Sequence, residues 1–197
     1  MELPVGEFIS QGLEKEVPES ARTLLESNVK DEIKHDLALG FIVESHGADP
    51  IAEIEAIKLR DAWIQHPDHT ILKALVAERA IFFVLLPMFR FLGDAALRTV
   101  SADISRDEQI HVATNSLVCR ELGLVPSNSL DKLRKATIAW VLNPLKTSPD
   151  KYLDKSFWLD ASDRLMYEGK APQFADTKAA RMPAFFEHAN TNLPQYA

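Results

Sequence analysis

Cysteine is almost missing from this chain. Cys119 is the only one among 197 residues, which excludes an intrachain disulfide and any thiolate zinc cluster. Glycine is scarce too, at 7 residues, too few for the many tight turns of a β-rich fold. Long apolar runs are absent: the longest, Ala80 to Phe89, is about half of the ~20 residues that a membrane span requires. The first residues, Met-Glu-Leu-Pro-Val-Gly-Glu, lack the basic start and apolar stretch of a secretory signal. Basic residues are the minority, with 22 Lys and Arg against 29 Asp and Glu and a net charge of -7. That balance argues against a nucleic-acid partner, which needs clustered cations. Together these absences give the expectation of a cytoplasmic protein with neither membrane nor nucleic acid as partner.

What is present favours helix. Hydrophobic residues make up 46% of the chain, enough to bury a core, and Leu, Ala, Glu and Lys dominate its first two-thirds. Prolines and polar clusters divide the 3.6-residue rhythm into segments. The expected helices run from about Leu3 to Glu16, Glu19 to Ser45, Ile51 to Gln65, Asp68 or Thr70 to Leu92, Ala95 to Leu122, Ser127 or Ser129 to Leu142, and Lys151 to Tyr167. Pro87 inside the fourth should free the Phe83 carbonyl and bend the helix. The predicted fold is all-α, one helical body over residues 1–169 followed by an irregular tail over 170–197, in which Phe185 and Phe186 are candidates to pin the tail down.

Three of these helices carry polar residues where core is expected. Leu25, Val29, Glu32, His35, Leu39 and Ile42 share one face of the second helix. Ile71, Leu75, Glu78, Phe82, Leu85 and Phe89 share one face of the fourth, and Leu97, Val100, Ile104, Glu108, His111 and Val118 one of the fifth. An unpaired buried carboxylate costs several kcal/mol, and no lysine or arginine lies on those stripes to offset it. Bound cations would.

The spacing supports that reading. Asp31-Glu32-Ile33-Lys34-His35 and Asp107-Glu108-Gln109-Ile110-His111 repeat one pattern, DExxH. Residues three apart sit one turn apart, so a carboxylate and an imidazole reach the same ion. Dimetal carboxylate bundles take Glu-x-x-His from two helices and one Glu from each of two others. Glu78 precedes Glu108 by thirty residues, and two equal legs folded at Gly93 bring both to one height. The extra aspartates suit the second ring nitrogen of each histidine, Asp107 serving His35 and Asp31 serving His111 across the bundle. A fourth carboxylate should come from the first helix, where Glu2, Glu7, Glu14 and Glu16 are available. Val5, Ile9 and Leu13 form its apolar side; Glu2 and Glu16 lie near that side and Glu7 does not.

From Leu75 to Leu117 the chain resembles the small, radical-generating subunit of class I ribonucleotide reductase and its oxidase relatives, within the ferritin-like di-iron carboxylate superfamily. Ala77-Glu78-Arg79-Ala80-Ile81-Phe82-Phe83 is similar to that family's third ligand helix, and Ile104 to His111 to its fourth. Pro18 to His35 matches the second in length, and Gly6-Glu7-Phe8-Ile9-Ser10-Gln11-Gly12 resembles the first, which selects Glu7. The resemblance covers roughly residues 1 to 120. It implies a ferritin-like four-helix bundle with additional helices, holding two metal ions (Fe/Fe or Mn/Fe) on Glu7, Glu32, His35, Glu78, Glu108 and His111, with O₂ as cosubstrate. It further implies an external electron donor, a small-molecule or nucleotide-related substrate and a homodimer. The family's radical tyrosine lies one turn after the first motif's histidine, where this chain has Leu39; its tyrosines are Tyr152, Tyr167 and Tyr196. The family's N-terminal tryptophan has no counterpart before Trp63. The expected activity is therefore that of an O₂-dependent dimetal oxidase or oxygenase, with Leu39, Phe82, Leu85 and Phe89 as an apolar lining. The alternatives are a divergent reductase small subunit acting with a large partner, an iron-storage cage, or a scaffold with a vestigial site.

Overall fold

The computed structural model describes residues 4–15 and 17–167. Eight α-helices appear in that span: α1 Val5–Leu13, α2 Glu19–His46, α3 Pro50–Gln65, α4 Thr70–Ala77, α5 Phe83–Leu92, α6 Ala95–Glu121, α7 Asn128–Val141 and α8 Lys155–Tyr167. No strand occurs among the described residues; one isolated bridge pairs Lys146 with Asp154. The all-α expectation holds, and α2, α3, α6 and α7 match their expected bounds to within a residue or so. The last helix starts at Lys155 rather than Lys151, because Asp150 and Asp154 first hold turns: their carboxylates accept from the Tyr152 and Ser156 amides. Residues 168–197, with Phe185, Phe186, His188 and Tyr196, lie outside the described residues, as do Glu2 and Glu16.

Local chemistry sets the helix starts. Asp49 caps α3 by accepting from Ile51 N at 2.9 Å, with Pro50 preset at the first helical position. At α4 the cap is His69, whose Nδ1 accepts from Ile71 N at 3.2 Å, not Asp68 or Thr70. Asp68 is used elsewhere: its Oδ2 accepts from Ser127 N at 3.0 Å and ties down the approach to α7.

The fourth expected helix is interrupted. Between α4 and α5, Glu78–Phe82 forms a π-helical turn, and Pro87 sits within α5 beyond it. A π turn breaks the 3.6-residue phase, so a stripe extrapolated from Ile71 and Leu75 does not carry past it. Phe82, Leu85 and Phe89 are accordingly only half-buried, while Ile81, Val84 and Met88 are buried.

Chain contacts group residues into two compact units, Met1–Glu78 with Arg106–Arg134, and Arg79–Ser105 with Lys135 onward. In the first, α1 packs on α2 and α4. It buries Val5, Phe8, Ile9 and Gly12, and Gly12 is needed because a Cβ there would collide with the Ile71 side chain. Lys73 is buried and donates to the carbonyls of Trp63 (3.1 Å), Ile64 (3.1 Å) and His66 (3.3 Å), so its cation satisfies the free C-terminal end of α3. In the second unit, α5 meets α8; Arg79 Nε donates to the Leu165 carbonyl at 2.7 Å and Ser162 to that of Ala80. No helix among the described residues is long and apolar enough to cross a membrane.

Candidate metal centre

The first unit brings together the side chains that the two DExxH motifs single out. α2 supplies Glu32 and His35, the start of the π turn supplies Glu78, and α6 supplies Glu108 and His111. All five are buried, Glu78 and Glu108 completely. Ligand atoms of Glu32, Glu78, Glu108 and His111 lie within 4.8 Å of one another. His111 Nδ1 stands 3.2 Å from Glu32 Oε1, 3.7 Å from Glu108 Oε2 and 3.8 Å from Glu78 Oε1. His35 Nδ1 faces the same group from the other end, 3.5 Å from both Glu32 Oε1 and Glu108 Oε1. The two rings are 5.8 Å apart between centroids, so Glu32 and Glu108 lie between two imidazoles.

The remote ring nitrogen of His35 bonds the aspartate assigned from sequence, whereas that of His111 faces its aspartate without a hydrogen bond. His35 Nε2 donates to Asp107 Oδ2 at 3.1 Å, and His111 Nε2 faces Asp31 Oδ2 at 3.6 Å. Asp107 thus turns the Nδ1 of His35, on the opposite helix, toward the centre. Lys34 holds Asp31 at 2.8 Å.

The ends differ. Around His111 three carboxylates converge, whereas around His35 there are two. Glu7, expected to complete the set, is exposed on α1 and stands outside the cluster. Helical phase is the reason: with Val5, Phe8, Ile9 and Gly12 turned inward, residue 7 falls on the outer side. The position of α1 that meets α2 at the height of the cluster is Gly6, where a Cβ would lie 3.1 Å from Glu32 Cβ. Of the expected apolar lining, Leu39 is half-buried in the first unit and Phe82, Leu85 and Phe89 are half-buried in the second.

The electrostatics are those of a site under load. Burial disfavours a charged His35, yet the carboxylates of Glu108, Glu32 and Asp107 beside it outweigh that and raise its pKa to about 11. His111 behaves alike: burial opposes the charge, Glu108 and Glu32 win, and its pKa rises to about 10. Burial pushes Glu78 well above the usual carboxylate range, and the nearby Glu108 adds to the effect. Glu32 ends below its ordinary value, burial being overcome by His111 and His35. Cys119, buried and near the Glu78 charge, is pushed up to about 12 and stays a thiol.

Several polar atoms in this interior have no hydrogen-bond partner: Glu32 Oε1, Glu78 Oε1, both Glu108 oxygens, Nδ1 of His35 and both ring nitrogens of His111. Apart from His111 Nε2, which faces Asp31, they face one another across the cluster. Buried groups left unmatched in this way are rare, and together they form a carboxylate and imidazole donor set that fits divalent metal ions.

Two buried residues escaped the sequence reading. Asn115, one turn beyond His111, donates from Nδ2 to Glu78 Oε2 at 2.7 Å and leaves Oε1 as the free oxygen. Asn28, one turn before Glu32, is buried with its amide nitrogen unmatched. Extending each ligand stripe by one turn would have found both. No family model, curated protein or solved structure matches the chain.

Proposed function

We propose that this chain is a ferritin-like dimetal carboxylate protein that holds two ions, Fe/Fe or Mn/Fe, and acts as an O₂-dependent oxidase or oxygenase. The observation that carries the reading is the set of unmatched, buried donor atoms on Glu32, Glu78, Glu108 and His111, which lie within 4.8 Å of one another, with His35 Nδ1 beside Glu32 and Glu108. No lysine or arginine pairs with the three glutamates among the described residues. Charged oxygen donors with two imidazoles suit iron and manganese.

Each side chain has a distinct part. Glu32 and Glu108, each close to both imidazoles, would contribute carboxylate oxygens to the ions. His111 and Glu78 would hold one ion, His35 the other. Asn115 fixes the Glu78 carboxylate so that one oxygen stays available. Asp107 accepts from His35 Nε2 and locks that ring, which raises the basicity of its Nδ1; Asp31 faces His111 Nε2 at 3.6 Å. The Asp107 side chain is 45% exposed, so the His35–Asp107 pair is the point at which a proton passes between the buried centre and water. Complete burial of Glu78 and Glu108 excludes solvent from the ligand set. The ions, once bound, would supply reduction of O₂ and oxidation of a substrate.

The test is anaerobic reconstitution with Fe²⁺, alone and with Mn²⁺, followed by admission of air. The reading expects about two ions per chain, O₂ uptake on mixing, and loss of both in Glu108→Ala. Failure to retain metal, or retention without any O₂ uptake, rejects the oxidase assignment.

A further inference from the structure

Two buried asparagines continue the ligand stripes at one end of the cluster. Asn28 is 1% exposed and Asn115 is fully buried. Asn28 lies one turn before Glu32 on α2, and Asn115 one turn after His111 on α6. His35 bonds Asp107, and four residues back along α2 Asp31 faces His111, four residues on along α6. The two helices are therefore antiparallel in a fixed register. That register sets Asn28 opposite Thr114, so Asn115 stands about 1.5 Å from the same level, the rise of one residue. Both amides belong to one polar layer, directly beyond the end of the cluster that holds His111. The DExxH repeat does not itself call for them: the positions equivalent to Asn28 and Asn115 in the other copy of the motif are Ile104 and Leu39.

The free atoms are complementary. Asn115 uses Nδ2 to hold Glu78 Oε2 at 2.7 Å, which leaves its Oδ1, an acceptor, without a partner. Asn28 leaves its Nδ2, a donor, without one, so the two amides do not bond each other. Buried polar groups in protein interiors are matched, by protein or by ordered water. A molecule that matches both of these must accept one hydrogen bond and donate another, as a hydroxyl does. We propose that Asn28 and Asn115 bind one hydroxylic molecule between them, accepting from Asn28 Nδ2 and donating to Asn115 Oδ1. Complete burial of both amides selects water over a larger alcohol. The bound water ties α2 to Asn115 and so steadies the Glu78 carboxylate. Asn28 is thereby a positioning residue for Glu78, a role that rests on the dimetal reading; the water site does not.

The test counts water first. In the metal-free chain, oxygen-17 relaxation dispersion of the solvent reports long-lived internal waters. Asn28→Leu should lose one per chain, with helix content by circular dichroism unchanged. A high-resolution crystal structure of the wild type, which needs no variant, should show a water within hydrogen-bond distance of both amides. No water there, or Asn28 Nδ2 turned directly onto Asn115 Oδ1, overturns the proposal. So does an unchanged water count in Asn28→Leu. A Mn²⁺ titration then reads the role toward Glu78: Asn28→Leu should weaken binding roughly tenfold, and wild-type affinity in a variant that has lost its water overturns that role. A wild type that holds the water and binds no Mn²⁺ rejects the dimetal reading instead and leaves the water site standing.

Discussion

Glu78→Gln separates a metal ligand from a member of a structural charge network. Gln is nearly the same size and still accepts the Asn115 hydrogen bond, so packing is kept. In the metal-free protein the change removes a fully buried carboxyl that burial and Glu108 already disfavour as a charge, so thermal stability should hold or rise. Metal dependence should collapse. At a free metal concentration of about 100 times Kd, binding stabilises the wild type by ~2.7 kcal/mol. For a chain this size that is roughly 5–11 °C in Tm. A hundredfold loss of affinity brings the same concentration to about Kd, leaving ~0.4 kcal/mol, or about 1–2 °C. Differential scanning calorimetry with and without Mn²⁺, which tolerates air, reads both quantities. If Glu78→Gln lowers the metal-free Tm by the equivalent of about 3–5 kcal/mol, as breakage of a buried ion pair would, or leaves the Mn²⁺ shift at its wild-type size, the reasoning is refuted.

The pH dependence has a defined sign. In the metal-free protein His35 and His111 have folded pKa values of about 11 and about 10, above their ordinary 6.5. Their contribution is complete below pH 6.5 and is lost as pH rises toward 10 to 11. Metal binding requires neutral rings, so affinity should increase with pH, with roughly two protons released on loading near neutrality; calorimetry in buffers of different ionisation enthalpy measures this. Asp107→Asn should weaken metal binding at the His35 end by about 10–100-fold, lowering stoichiometry at limiting metal from two toward one. Gly6→Ala brings a Cβ within 3.1 Å of Glu32 Cβ, so a metal titration should show weakened affinity with little change in metal-free Tm. Gly12→Ala, set against buried Ile71, should instead cost about 1–3 kcal/mol of stability, seen as a lower denaturant midpoint.

The ligand cluster was legible because burial and charge conflict in the sequence itself. Glu32, His35, Glu78, Glu108 and His111 occupy apolar stripes, and all five are buried; of the two aspartates that the DExxH repeat assigns, Asp107 bonds His35 and Asp31 faces His111 at 3.6 Å. Glu7 shows where resemblance and phase part company. The local motif selects it, but Val5, Ile9 and Leu13 already mark the other side of that short helix, and phase decides its exposure. The π turn was not legible, because an i→i+5 bond leaves no composition signature, and beyond it Phe82, Leu85 and Phe89 are only half-buried. His69 as the α4 cap escaped for a related reason: capping follows loop geometry, and Asp68 was committed to Ser127.

The most direct check on the central claim is anomalous diffraction at the manganese edge from crystals grown with Mn²⁺. Two peaks should appear, one among Glu78, His111, Glu32 and Glu108, the other beside His35 between Glu32 and Glu108. No anomalous density within reach of those side chains, with the metal found only on surface carboxylates, would contradict it.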